Sequence, residues 1–176
     1  MLNEQTSSQL ALGQKAPNFT LMDLHGRQHS LSDYAGQIVI IHFWSAECPW
    51  VKRADELLAG WLEERGSRAV VLTVAANASE SREVIWQAAT GRDLTVVLHD
   101  DCQRIADLYG ATNTPHFFIV DERGMLRYRG GLDDVTFRKH TPSRFYLKEA
   151  VDALLAGRQP EVAEFQPYGC TIVRYT

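Results

Sequence analysis

The chain has no apolar run of the ~20 residues needed to cross a bilayer, so no membrane-spanning helix is expected. It also lacks a basic excess. Lys and Arg number 18 against 22 Asp and Glu, and the formal charge of −4 leaves no footprint for nucleic acid or an anionic membrane. Cysteine is sparse. The three present, Cys48, Cys102 and Cys170, are too few for a disulfide scaffold. No CxxC pair exists and no Cys/His spacing suits zinc, so neither a metal nor a cofactor is expected. Internal repeats, low-complexity tracts and dividing linkers are absent. The first 14 residues have no basic stretch followed by an apolar core, so no secretory leader is read there and a cytoplasmic protein is expected.

What is present is an ordinary globular composition, 45% hydrophobic and 23% charged over 176 residues, enough for one domain with a core. The chain is organised around residues 38–51. Residues 38–44 are apolar apart from His42, the pattern of a strand covered on both faces. Pro49 cannot continue a ladder but suits the first position of a helix. That puts Cys48 at the helix N-cap, where free amides and the positive end of the dipole favour a thiolate. Cys48 is therefore a candidate nucleophile, expected to be alkylated faster than Cys102 or Cys170. The plain alternative is a small buried hydrophobe.

Around this stretch the pattern reads as follows. Residues 1–15 are polar and form a loose arm. Residues 18–21 and 27–31 make a β-hairpin about His25-Gly26. Ala54, Leu57, Leu58, Trp61 and Leu62 give the helix after Cys48 one apolar stripe, and Gly66 caps it. A Val-rich strand over 69–75 precedes a helix capped by Ser79 or Ser81 and ended by Gly91. A strand over 94–98 leads to a short helix opened by Asp100 and Gln103 and closed by Gly110. Thr114-Pro115, a hairpin over 116–129 and a last helix from Pro142 to Gly157 follow. The order predicts an α/β fold, a mixed sheet with helices on both faces. Residues 16–157 form the domain and 158–176 a tail packed on it, through the apolar end that includes Cys170 and Ile172.

These residues resemble a known family. Phe43-Trp44-Ser45-Ala46-Glu47-Cys48-Pro49 looks like the active-site turn of thioredoxin-like redoxins. The hairpin through Asp33-Tyr34-Ala35-Gly36 resembles the entry of the alkyl hydroperoxide reductase/thiol-specific antioxidant branch. Thr114-Pro115 falls where thioredoxin folds carry a cis-proline facing the reactive cysteine. Arg127-Tyr128-Arg129-Gly130 and the tail Gly169-Cys170-Thr171-Ile172 are similar to the peroxiredoxin-like thioredoxin-domain subgroup. The resemblance implies a thioredoxin-like fold with the N-terminal hairpin as an extension. It also implies antioxidant or disulfide chemistry at Cys48, and a substrate surface from Trp44, Glu47, Pro49, Trp50, Thr114 and Pro115.

The departures shape the functional expectation. Thioredoxins have a second cysteine where Val51 stands, and the subgroup has one where Ser45 stands, so no neighbouring thiol can resolve a mixed disulfide. Ser45 suits a hydroxyl partner for a thiolate and a peroxide, whereas Ile41 stands where peroxidases of this type carry proline. The expected protein is a thiol peroxidase or thiol–disulfide oxidoreductase with Cys48 as its one active-site nucleophile. It would act on a small peroxide or a thiol/disulfide substrate and be recycled by an external thiol. Cys170 is the candidate resolving thiol, with Cys102 behind it. His116, Arg127 and Arg129 are weaker candidates beside the pocket. The competing class is a redox-inactive binding module on the same fold.

Overall fold

A computed structural model describes residues 10–176. Its centre is β3 (Ile38–Trp44), every residue of which is buried. The parity of the strand divides the core. Val39, Ile41 and Phe43 face one cluster with Phe19, Leu72, Tyr109 and Phe118. Ile38 and Ile40 face another with Leu58, Phe117, Tyr128 and Leu147.

β3 pairs in parallel with β4 (Ala69–Ala75), which pairs in parallel with β5 (Val97–His99). On its other side β3 pairs antiparallel with β7 (His116–Val120), and β7 with β8 (Leu126–Gly130). β9 (Glu164–Phe165) adds in parallel to β8 and completes a sheet of six strands, ordered β5-β4-β3-β7-β8-β9. Gly130 permits that last pairing. Its φ is +147°, and a Cβ there would lie 1.9 Å from the Phe165 carbonyl oxygen.

Helices α1 (Pro49–Glu63) and α4 (Tyr146–Leu155) bury Ala54, Leu58, Leu147 and Val151 against the even face of β3. Helix α2 (Arg82–Gly91) places Ile85 and Ala89 against Trp44 and Val97. Helix α3 (Arg104–Tyr109) covers the opposite face with Ala106 and Tyr109, beside the hairpin of β1 (Thr20–Met22) and β2 (Gln28–Ser30). Two short strands complete the set, β6 (Asn113–Thr114) and β10 (Cys170–Thr171), which pair antiparallel with Cys170 opposite Thr114.

Three expectations change. Of the loose arm, residues 1–9 lie outside the described residues, and 10–15 are held. The Gly13 amide donates to the Leu126 carbonyl at 2.8 Å, the Leu126 amide to the Gln14 carbonyl at 2.9 Å, and Arg129 to the Leu10 carbonyl at 2.7 Å. The cause is the start of β8, whose backbone groups need partners. The last helix begins at Tyr146 rather than Pro142, because the Asp134 carboxylate takes the Ser143 amide at 2.9 Å and keeps that segment a loop. The short helix starts beyond Gln103, whose φ of 54° is left-handed; the Asp100 carboxylate caps it through the Ile105 and Ala106 amides, both at 2.9 Å.

Candidate functional site: two cysteines from distant segments

Cys48 occupies the N-cap of α1, with Pro49 at the first helical position. It is 2% exposed. Its thiol donates to the Thr114 carbonyl at 3.2 Å, and the Thr114-Pro115 bond is cis. The same Thr114 pairs with Cys170 across β6 and β10, so the tail lies over the turn that carries Cys48. Cys170 packs against the buried cluster that contains Cys48. Burial pushes its thiol up to about 12, and the neighbouring Cys48 and Glu80 add to the rise. The expected remote pair is thus brought together within the fold. Covering by the tail reverses the expected order of access, because Cys48 is buried while Cys102 is exposed. Cys102 sits on the turn before α3, where Asp101 raises its thiol, and it has no described contact with the pair.

Ser45 does not face the sulfur. Its hydroxyl proton goes to Glu80, and its oxygen accepts the Cys48 amide at 3.2 Å and the Glu47 amide at 3.3 Å. It caps the turn rather than serving a thiolate or peroxide. Glu80 is 5% exposed and also takes the Ala46 amide at 3.0 Å and the Glu47 amide at 3.2 Å. Asn77 donates to Glu80 at 3.3 Å and accepts the Val173 amide of the tail at 2.8 Å. Neither residue had a local signal. Ser81 is the N-cap of α2, accepting the Val84 amide at 3.3 Å, and Glu80 beside it reads in sequence as a solvated acid.

Trp44, expected at the substrate surface, is 0% exposed. Its position in β3 puts it on the buried even face, and its indole N–H donates to Asp55 at 2.9 Å. Arg92 lies over its ring at 5.1 Å and reaches Asp55 at 3.1 Å, the Ser45 carbonyl at 3.4 Å and the Ala46 carbonyl at 2.6 Å. This cation–π and ion-pair layer supports the active turn from below. His42 belongs to the same layer. Its Nδ1 is 3.8 Å from Asp55, and Nε2 has no partner among the described residues. Burial and then Arg92 push its pKa down to about 3.

A pH dependence follows. His116, buried and near Arg129, is likewise pushed down to about 4. The unfolded chain binds protons at both histidines below about 6.5, where the native protein does not. Their contribution is therefore complete above pH 6.5 and is lost as pH falls toward 4, by about 1.4 kcal/mol per pH unit for each proton. Asp55 and Asp100, raised by burial, oppose this trend. Urea midpoints at pH 5 and 7 for wild type and His42→Leu isolate the His42 share. The difference between the two pH values should shrink in the variant; an unchanged difference would mean that His42 is protonated in the native protein.

The remaining candidates divide. Pro49 and Glu47 are exposed at the rim. Trp50 is half-buried in an aromatic trio, its ring 5.1 Å from Tyr168 and 5.9 Å from Phe137. Trp50 therefore anchors the tail. His116 stacks on Phe118 at 4.6 Å and lines a separate cleft of about 550 Å³ with Arg129 and Glu164, whose lining does not include Cys48. Arg127 is committed to Asp121 at 2.6 Å and Arg129 to Glu164 at 2.9 Å, so neither is placed to hold a thiolate.

The chain is similar to the thiol-disulfide oxidoreductase ResA of Geobacillus thermodenitrificans, 29% identical over 119 residues that span 67% of this chain and 68% of the relative. It is 32% identical to ResA of Bacillus subtilis over 116 residues, 65% of this chain and 64% of the relative. A solved hypothetical protein of Sinorhizobium meliloti 1021 superposes with a TM-score of 0.83 at 27% identity, covering 94% of this chain and 96% of its own. The thioredoxin domain of a thiol-disulfide oxidoreductase from Bacteroides vulgatus gives 0.61 at 25% identity, over 68% and 88%. The fold is thioredoxin-like. The AhpC/TSA family model matches residues 12–129, and the chain belongs to the AhpC/TSA family.

Proposed function

We propose that this protein is a thiol–disulfide oxidoreductase whose exchanging pair is Cys48 and Cys170, working in the cytoplasm and recycled by an external thiol. The observation that carries the reading is the pair itself: two thiols from distant parts of the chain meet at Thr114, whose carbonyl accepts the Cys48 thiol and which pairs with Cys170, beside the cis Thr114-Pro115 bond. The names of the similar ResA proteins support exchange over peroxide reduction. So does Ser45, whose hydroxyl is directed to Glu80 instead of the sulfur.

The chemistry runs in two displacements. The Cys48 thiolate attacks one sulfur of a substrate disulfide. A mixed disulfide forms and the other substrate sulfur leaves as a thiolate. Cys170 then loses its proton to solvent and attacks the Cys48 sulfur, releasing the second substrate thiolate. The substrate disulfide gains two electrons, and the protein keeps a Cys48–Cys170 disulfide until two small thiols, or one protein dithiol, reduce it and leave as a disulfide. The raised Cys170 pKa favours Cys48 as the first attacker, and the part of the rise that comes from Cys48 vanishes once Cys48 is consumed in the mixed disulfide.

Oxidised glutathione tests this directly. After acid quenching, peptide mapping should find a Cys48–Cys170 link and Cys102 outside it. Cys48 carrying only glutathione beside a free Cys170 would overturn the pair. No reaction at either residue would favour the binding module.

A further inference from the structure

Glu80 is a buried carboxylate held by dipoles alone. Its described partners are the Ser45 hydroxyl, the Ala46 amide at 3.0 Å, the Glu47 amide at 3.2 Å and the Asn77 side-chain amide at 3.3 Å. None is a cation. Burying a carboxylate this way is costly, and it is offset by the four donors that would be left unpaired without it. What a carboxylate adds is geometry, since two oxygens collect donors from two parts of the chain. One part is the turn that carries Cys48, whose own amide donates to Ser45 at 3.2 Å. The other is reached through Asn77. Its carbonyl accepts the Val173 amide at 2.8 Å while the Ala78 amide donates to the Val173 carbonyl at 2.9 Å, which ties the tail three residues beyond Cys170. The loop between β4 and α2 thus joins, through hydrogen bonds, the two segments that carry the cysteines.

We infer that Glu80 and Asn77 are positioning residues for exchange between Cys48 and Cys170. They touch neither sulfur in the described hydrogen bonds. They hold the turn and the tail in a fixed relation, which raises the effective concentration of one thiol at the other. The inference rests on the exchanging pair proposed above.

The test equilibrates the full-length protein with mixtures of reduced and oxidised glutathione and measures the fraction carrying the Cys48–Cys170 disulfide. Asn77→Ala should lower the equilibrium constant for closing it by roughly five- to tenfold, as expected for hydrogen bonds lost to a buried carboxylate and to the backbone of the tail. Glu80→Gln should lower it too, because its amide turns N–H groups toward the Ala46 or Glu47 amide. The double variant Asn77→Asp/Glu80→Gln exchanges donor for acceptor at the central contact, and it should recover part of the loss relative to either single change. The initial glutathionylation of Cys48 should not slow. A residue that is merely structural would shift the urea midpoint of the Cys48→Ser/Cys170→Ser protein and leave the glutathione equilibrium unchanged. That result, or an Asn77→Ala constant within twofold of wild type, would overturn the inference. A wild-type protein that closes no such disulfide would instead overturn the exchanging pair.

Discussion

Cys170→Ser is expected to stall the protein as a mixed disulfide on Cys48. The first displacement needs only Cys48, which keeps its N-cap position and its contact with Thr114. The second needs a thiol at the docked tail, and serine cannot supply one. Release then falls to external thiol at millimolar concentration, against a thiol held in contact, so release of the substrate adduct in a single turnover should slow by at least ~100-fold. Cys48→Ser should behave differently. Burial, the largest cause of the raised Cys170 pKa, remains when Cys48 is gone. Burial still disfavours the Cys170 thiolate at pH 7, although the lost neighbour removes part of the rise. Cys170 alone should therefore be a poor nucleophile toward oxidised glutathione. Single-turnover mixing with acid quench and mass spectrometry reads both variants. If Cys170→Ser sheds its adduct at the wild-type rate, an external thiol resolves Cys48 and the protein works with one cysteine.

The legible parts of the site were those set by neighbouring residues. A buried strand, a cysteine and a proline at the start of a helix are read from a few adjacent positions, and Thr114-Pro115 from its place before β7. The parts that were misread depend on which face a residue occupies or on contacts across the chain. Trp44 follows the parity of Ile38 and Ile40 and so belongs inside, although its position beside Ser45 suggests a substrate wall. Ser45 has the right residue type for a peroxide site, but Glu80, 35 positions on, takes its proton. Arg92 stabilises the turn from the end of α2, which no spacing rule anticipates. Tail docking was readable only as an apolar tendency near Ile172. Its register comes from β6, a strand of two residues whose edge is free to pair.

Gly169→Ala is expected to uncover Cys48. A Cβ at position 169 would lie 2.1 Å from the Thr114 carbonyl oxygen, 2.8 Å from its carbon and 3.1 Å from Cδ of Pro115. Two of these atoms are backbone, and the oxygen also accepts the Cys48 thiol, so they cannot move aside cheaply. The strand that must yield is β10, which has only two paired residues, while Ile172 and Val173 beyond it keep their own contacts with the domain. The six-stranded sheet does not include β10, so the fold should survive while this part of the tail samples undocked states far more often. Iodoacetamide at pH 7 should then modify Cys48 at least ~10-fold faster, with closure of the Cys48–Cys170 disulfide slowed in parallel. Gly60→Ala is the control. Gly60 is an exposed position within α1 with nothing inside 4 Å of a Cβ, so alanine there should gain helix stability and leave Cys48 protected. Amide exchange at Cys170 and Ile172 gives a readout independent of thiol chemistry and should quicken only in Gly169→Ala. If Cys48 stays as protected and those amides as slow as in wild type, the tail accommodates the methyl group, and its cover over Cys48 does not depend on this close approach.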